Sequence, residues 1–107
     1  MTESDVTAQD LQAVAQELQL TRSQLQAVSA QVNEISLTLE ALASQIPSRP
    51  VFRAVGNLLL EVDDRQALAA ELDESKLAFE NHAGRLTERE SALVSQYEEM
   101  VKTFESQ

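Results

Sequence analysis

The sequence predicts a mainly α protein: an antiparallel two-helix coiled coil with one β-hairpin in the linker between the helices. Three observations predict it. Apolar residues recur at steps of three and four along two long segments of similar length. A run rich in strand-forming residues separates those segments and surrounds a Gly-Asn pair. The chain has only two Gly and two Pro in 107 residues, so it has few places to turn. The whole length, 1–107, reads as a single domain, with a helix at about 7–46, a hairpin at 51–62 and a helix at about 64–105.

The first helix carries an unbroken seam. Leu11, Val14, Leu18, Leu25, Val28, Val32, Ile35, Leu39, Leu42 and Ile46 alternate in steps of three and four, and Thr21 fills the one gap. This is an a/d heptad pattern with Leu11 at a. Thr7 and Asp10 are both candidates for the N-cap. Pro47 lacks the amide a helix needs, and Pro50 follows in "IPSRP", so the helix stops there. A helix over 7–45 would be about 58 Å long. Such a rod cannot bury its apolar stripe on itself.

The linker, "VFRAVGNLLLEV", reads as two strands, 51–55 and 58–62, joined by a two-residue primed turn at Gly56 and Asn57. Alternation puts Val51, Arg53 and Val55 on one face of the first strand and Phe52 and Ala54 on the other. In the second strand Leu58, Leu60 and Val62 oppose Leu59 and Glu61. An isolated two-stranded hairpin is marginal in water, and an apolar one with open edges invites aggregation. Nothing else in the chain reads as strand, so the strands that complete this sheet belong to other subunits. Val51, Phe52, Val55, Gly56, Leu58, Leu59, Leu60 and Val62 are therefore the candidate oligomerisation residues.

The second helix opens after Asp63 or Asp64. Leu72, Phe79, Leu86, Leu93 and Met100 repeat every seven residues, beside a weaker line of Ala69, Lys76, Ala83, Glu90, Tyr97 and Phe104. Gly84 interrupts a helix that is otherwise well formed. "TERE" at 87–90 matches a capping box, but the heptad runs through it, so no helix begins there. Folding the chain back at Val55 and Gly56 pairs residues whose numbers sum to 111. Leu18 then meets Leu93, Val32 meets Phe79, and the polar seam residues Thr21 and Glu90 fall together. Such a polar layer is a known device for fixing register.

Composition excludes several functions. The formal charge is −10, from 18 acidic residues against six Arg and two Lys. That surface repels phosphate backbones and anionic lipid, so neither nucleic acid nor membrane is an expected partner. There is no Cys, and the single His, His82, lies off both seam lines with no other ligand to join it. No Gly-rich phosphate loop, nucleophile triad or carboxylate pair is visible, and a two-helix rod offers no concave pocket. No enzyme, cofactor or metal is expected. The acidic, polar "MTESDVTAQD" does not read as a targeting peptide, and no apolar run is long enough to span a membrane.

The layout resembles the β-class subunits of prefoldin. The likeness is carried by the linker, where Phe52 precedes Val55-Gly56, an apolar strand at Leu58, Leu59, Leu60 and Val62, then Asp63, Asp64 and a helix with Leu68 and Leu72. The family's aromatic often stands at either of two adjacent positions, here Val51 or Phe52. The resemblance implies a cytoplasmic heterohexamer in which hairpins build a β-barrel platform and six coiled coils hang from it. A linker with room for one hairpin implies the β class, assembled with prefoldin α-type subunits and further β-type subunits. It further implies ATP-independent capture of unfolded polypeptides at the coil tips and their delivery to a group II chaperonin.

On that reading the tip residues Leu11, Val14, Leu18, Leu20, Val94, Tyr97, Met100, Val101 and Phe104 are the candidate client-binding set. For the seam members, coil core is the plainer role. Leu20, Val94 and Val101 lie off the seam and discriminate better. The acids Glu3, Asp5, Glu98, Glu99 and Glu105 are candidates for contact with a chaperonin's basic patches, although a solvated face is their plainer role. The alternative to a chaperone is a structural coiled-coil adaptor, such as a homodimeric four-helix bundle, in which the linker is a mere turn.

Overall fold

The computed structural model describes residues 5–107. Its elements run α1 (Ala8–Ser44), β1 (Phe52–Val55), β2 (Leu58–Glu61) and α2 (Arg65–Ser106). The helices pack antiparallel into a rod of 73 × 24 × 17 Å, with the hairpin at one end.

Both candidate caps at the start of α1 are used. Thr7 is the N-cap and accepts the Asp10 amide at 3.0 Å, while the Asp10 carboxylate accepts the Thr7 amide at 3.0 Å. That reciprocal pair satisfies two of the amides every helix start leaves open. The far end differs from expectation. The helix stops at Ser44, and Gln45 is already extended with ψ 140°. Pro47 has no amide to donate and pushes the residue before it out of the helical region. Ile46 therefore leaves the seam and is exposed. Its carbonyl accepts the Arg49 amide at 3.0 Å and Arg65 Nη1 at 3.3 Å. Arg65 Nη2 also donates to the Arg49 carbonyl, so the first residue of α2 holds the bend that ends α1.

The hairpin has the expected register. Phe52 pairs with Glu61, Arg53 with Leu60, Ala54 with Leu59 and Val55 with Leu58. The Val62 amide reaches the Val51 carbonyl at 2.7 Å, extending the ladder to the predicted strand ends. Gly56 has φ 60°, and no non-glycine described residue has a positive φ. A positive φ at the first central position alone is the II′ pattern, which needs glycine there and matches the strand twist.

Asp64 caps α2 by accepting the Ala67 amide at 3.0 Å. The Thr87 hydroxyl donates to the Ala83 carbonyl inside the helix, so "TERE" starts nothing. A Cβ added at Gly84 would meet nothing within 4 Å. Gly84→Ala is therefore expected to stabilise the chain by about 1 kcal/mol through helix propensity alone. A thermal melt checks it; a lowered midpoint contradicts the account.

The predicted seams are the inner faces of the coil. The buried residues are Val14, Leu18, Thr21, Ile35, Leu86 and Leu93, and the remaining seam positions from Leu11 to Leu42 and from Leu72 to Met100 are half-buried. Lys76 and Glu90 are among the half-buried ones. Packing is tightest in the half of the rod remote from the hairpin. Leu39, Leu42, Leu68 and Leu72, beside the hairpin, are only half-buried.

The two polar seam residues take separate partners. Thr21 and Glu90 do not bond each other. The Thr21 hydroxyl donates to the Glu17 carbonyl at 2.9 Å, while Glu90 pairs with Arg22 at 3.0 Å. A buried hydroxyl finds its own helix's carbonyl without moving either backbone, which frees the carboxylate to reach the partly exposed guanidinium.

Candidate functional site: hairpin and coil tip

The hairpin presents apolar surface with no partner in the described residues. All eight residues of β1 and β2 are exposed. Leu59 retains 73% of its accessible surface and Leu58 63%. Phe52, Val55 and Leu60 are exposed as well, whereas Val51 and Val62 at the hairpin base are half-buried. Antiparallel ladders alternate hydrogen-bonded and open pairs. The Val62–Val51 bond makes that pair a bonded one, so Arg53–Leu60 and Val55–Leu58 are bonded too. The amides and carbonyls of Phe52, Ala54, Leu59 and Glu61 then point outward along the two sheet edges. An exposed apolar sheet with open edges is the geometry that accepts further strands.

The hairpin also leans against the helices, contrary to the expectation of a rod with no concavity. Arg53 reaches Glu71 of α2 at 3.3 Å. Between β1 and the helix pair lies an open groove of about 670 Å³, lined by Leu42, Val51, Phe52, Ala54, Leu68 and Leu72. Periodicity gives no sign of this groove, because it depends on the angle at which the hairpin leaves the coil.

At the opposite end the candidate client-binding residues divide. Val14 and Leu18 are buried with Leu93 in one cluster. Val94, Tyr97 and Met100 pack against that cluster, so off-seam Val94 is an edge of the coil core. Leu11 and Val101 are half-buried. Leu20 and Phe104 are exposed, at 58% and 41%. Asp5, Glu98, Glu99 and Glu105 face solvent, and Glu3 lies outside the described residues. His82 is exposed. Among the described residues, no group of three or more His, Cys, Asp or Glu is placed to hold a metal. No helix there is long and apolar enough to cross a membrane.

Sequence reasoning missed the ion pairs between elements and two further polar ties that fix the ends of the rod. One is Arg65, which staples the bend. The other joins the ends of the described chain, where the Gln107 side chain bonds the Val6 backbone. Neither has a local sequence signature.

A family model described as "Prefoldin subunit" matches residues 7–107, nearly the whole chain. The chain belongs to the prefoldin subunit family. It is thus a chaperone subunit rather than an enzyme, and membership implies partner subunits in a hexameric complex. The fold agrees. The prefoldin beta subunit from Thermococcus strain KS-1 superposes with a TM-score of 0.81 at 24% identity, covering 96% of this chain and 95% of that one. The prefoldin beta2 subunit of the same strain gives 0.75 at 21% identity, covering 86% and 97%. Comparison with curated protein sequences finds no match. In the described residues a two-stranded hairpin joins the helices, and both superpositions are to subunits named beta.

Proposed function

We propose that this chain is a β-type prefoldin subunit that assembles through its hairpin with α-type and further β-type subunits in the cytoplasm. The assembly captures unfolded polypeptides at its coil tips without ATP and passes them to a group II chaperonin. One observation carries the reading: eight strand residues, most of them apolar, stand exposed in a two-stranded sheet that has nothing else to pair with in the described chain. A structural adaptor that used the linker only as a turn would have no need of that surface. Helices of 37 and 42 residues hold the tips far from the platform. Several weak tip contacts on one client then gain affinity through effective concentration.

Leu20 and Phe104 are the tip residues available without opening the coil. Replacing both with Ser is expected to leave the helical signal unchanged. Suppression of aggregation of a guanidinium-denatured client, such as rhodanese diluted without ATP, is expected to fall by at least about half. Each lost apolar contact is worth about 1–2 kcal/mol, and multivalency spreads that loss over several sites. Unchanged suppression would place client capture elsewhere on the molecule.

A further inference from the structure

The tip is closed by a specific contact. The Val6 amide donates to Gln107 Oε1 at 2.6 Å, and Gln107 Nε2 donates back to the Val6 carbonyl at 2.9 Å. One side-chain amide thus satisfies both backbone groups of a residue 101 positions away. Val6 immediately precedes the Thr7 cap, so the clasp joins the entry of α1 to the residue that caps the end of α2. Gln107 is itself held by its own amide, which donates to the Phe104 carbonyl at 3.4 Å.

Behind the clasp lies the most deeply buried part of the molecule, Leu93 at 1% exposure with Val14 and Leu18. Behind that, Arg22–Glu90 and Arg89–Glu17 bridge the helices. Of the nine apolar residues proposed to bind clients, Val14 and Leu18 are buried, five are half-buried and only Leu20 and Phe104 are exposed. We propose that the Gln107–Val6 clasp is a latch that holds the tip closed, and that its opening controls how much of Leu11, Val14, Tyr97 and Met100 a client can reach. This rests on the tip-capture reading above.

Both bonds are solvent-exposed. Exposed hydrogen bonds have small net worth because water competes for each partner, so such a latch opens readily. Terminal turns joined by few contacts also open far more often than the core.

Gln107→Ala removes both bonds from an exposed position and leaves the coil seam untouched. Hydrogen exchange is measured by mass spectrometry on the 107-residue chain. Amides in 8–14 and 97–106 are expected to exchange about threefold to tenfold faster, with the hairpin and the middle of the rod unchanged. Gln107→Glu, which keeps an acceptor but loses the donor, is expected to behave similarly. Capture of denatured rhodanese is expected to rise by about twofold with either variant. Unchanged exchange in the tip peptides overturns the clasp. Faster exchange with unchanged or weaker capture overturns its control of access. Failure of tip capture itself is distinguishable, because the Leu20→Ser, Phe104→Ser variant would then capture as well as the parent chain while the exchange result still reports on the clasp.

Discussion

Leu59→Asp combined with Leu60→Asp is expected to abolish assembly and to leave the coiled coil intact. The two side chains lie on opposite faces of β2, so the pair reaches whichever face a neighbouring subunit covers. Both are exposed within the chain, at 73% and 47%, so the substitutions remove little of the packing that folds it. Covering each leucine in a platform would contribute about 1.5–3 kcal/mol. Burying a carboxylate there without a partner costs several kcal/mol more. At 1.4 kcal/mol per tenfold, association weakens by well over ~100-fold. Analytical ultracentrifugation with partner subunits present reads the loss, and far-UV circular dichroism reads the intact helices. Assembly that survives the double substitution removes the hairpin from the interface. Loss of helical signal would mean that the hairpin supports the coil directly.

Leu93→Ala is the substitution expected to destabilise the fold itself most. Leu93 is 1% exposed and touches the packed centre of the tip. Truncating a fully buried leucine removes its transfer energy and leaves a cavity, together about 2–5 kcal/mol. For a chain of this size each kcal/mol lowers the melting midpoint by roughly 4–8 °C, so a fall of at least about 10 °C is expected. Leu72→Ala, at a half-buried seam position beside the hairpin, is expected to cost less than half as much. Equal costs would contradict the placement of the tightest packing near the tip. That placement matters for function. Near the tip, Val14, Leu18 and Leu93 are buried while Leu11, Tyr97 and Met100 keep part of their surface exposed, so on the proposed reading it is the buried members that need the coil to open before a client reaches them.

Much of this architecture was legible because it depends on local rules. Heptad spacing located both inner helix faces, including the half-buried charges at Lys76 and Glu90, since a seam residue's side is fixed by its position in the repeat. Gly-Asn between two apolar runs located the turn, and the II′ pattern follows from glycine's freedom at positive φ. Departures came where a choice depended on tertiary geometry. Ile46 fits the repeat by spacing but lies too close to Pro47 to stay helical. The repeat puts Thr21 and Glu90 on the seam but does not say which partner each takes: Arg22 offers the carboxylate a charge and Glu17 offers the hydroxyl a carbonyl within its own helix. Val94 reads as surplus surface in the heptad but packs against the tip core. The groove under Phe52, the Arg65 staple and the Gln107 clasp each depend on residues brought together by the fold, so periodicity carries no trace of them.

On the proposed reading, the hairpin is an unfinished sheet completed by other subunits. The most direct test is the mass of the chain, by size-exclusion chromatography with light scattering, in the presence of a candidate α-type prefoldin subunit. One stable six-subunit species containing both chains is expected. Two separately eluting components, with this one at its monomer mass of 11.8 kDa, would contradict it.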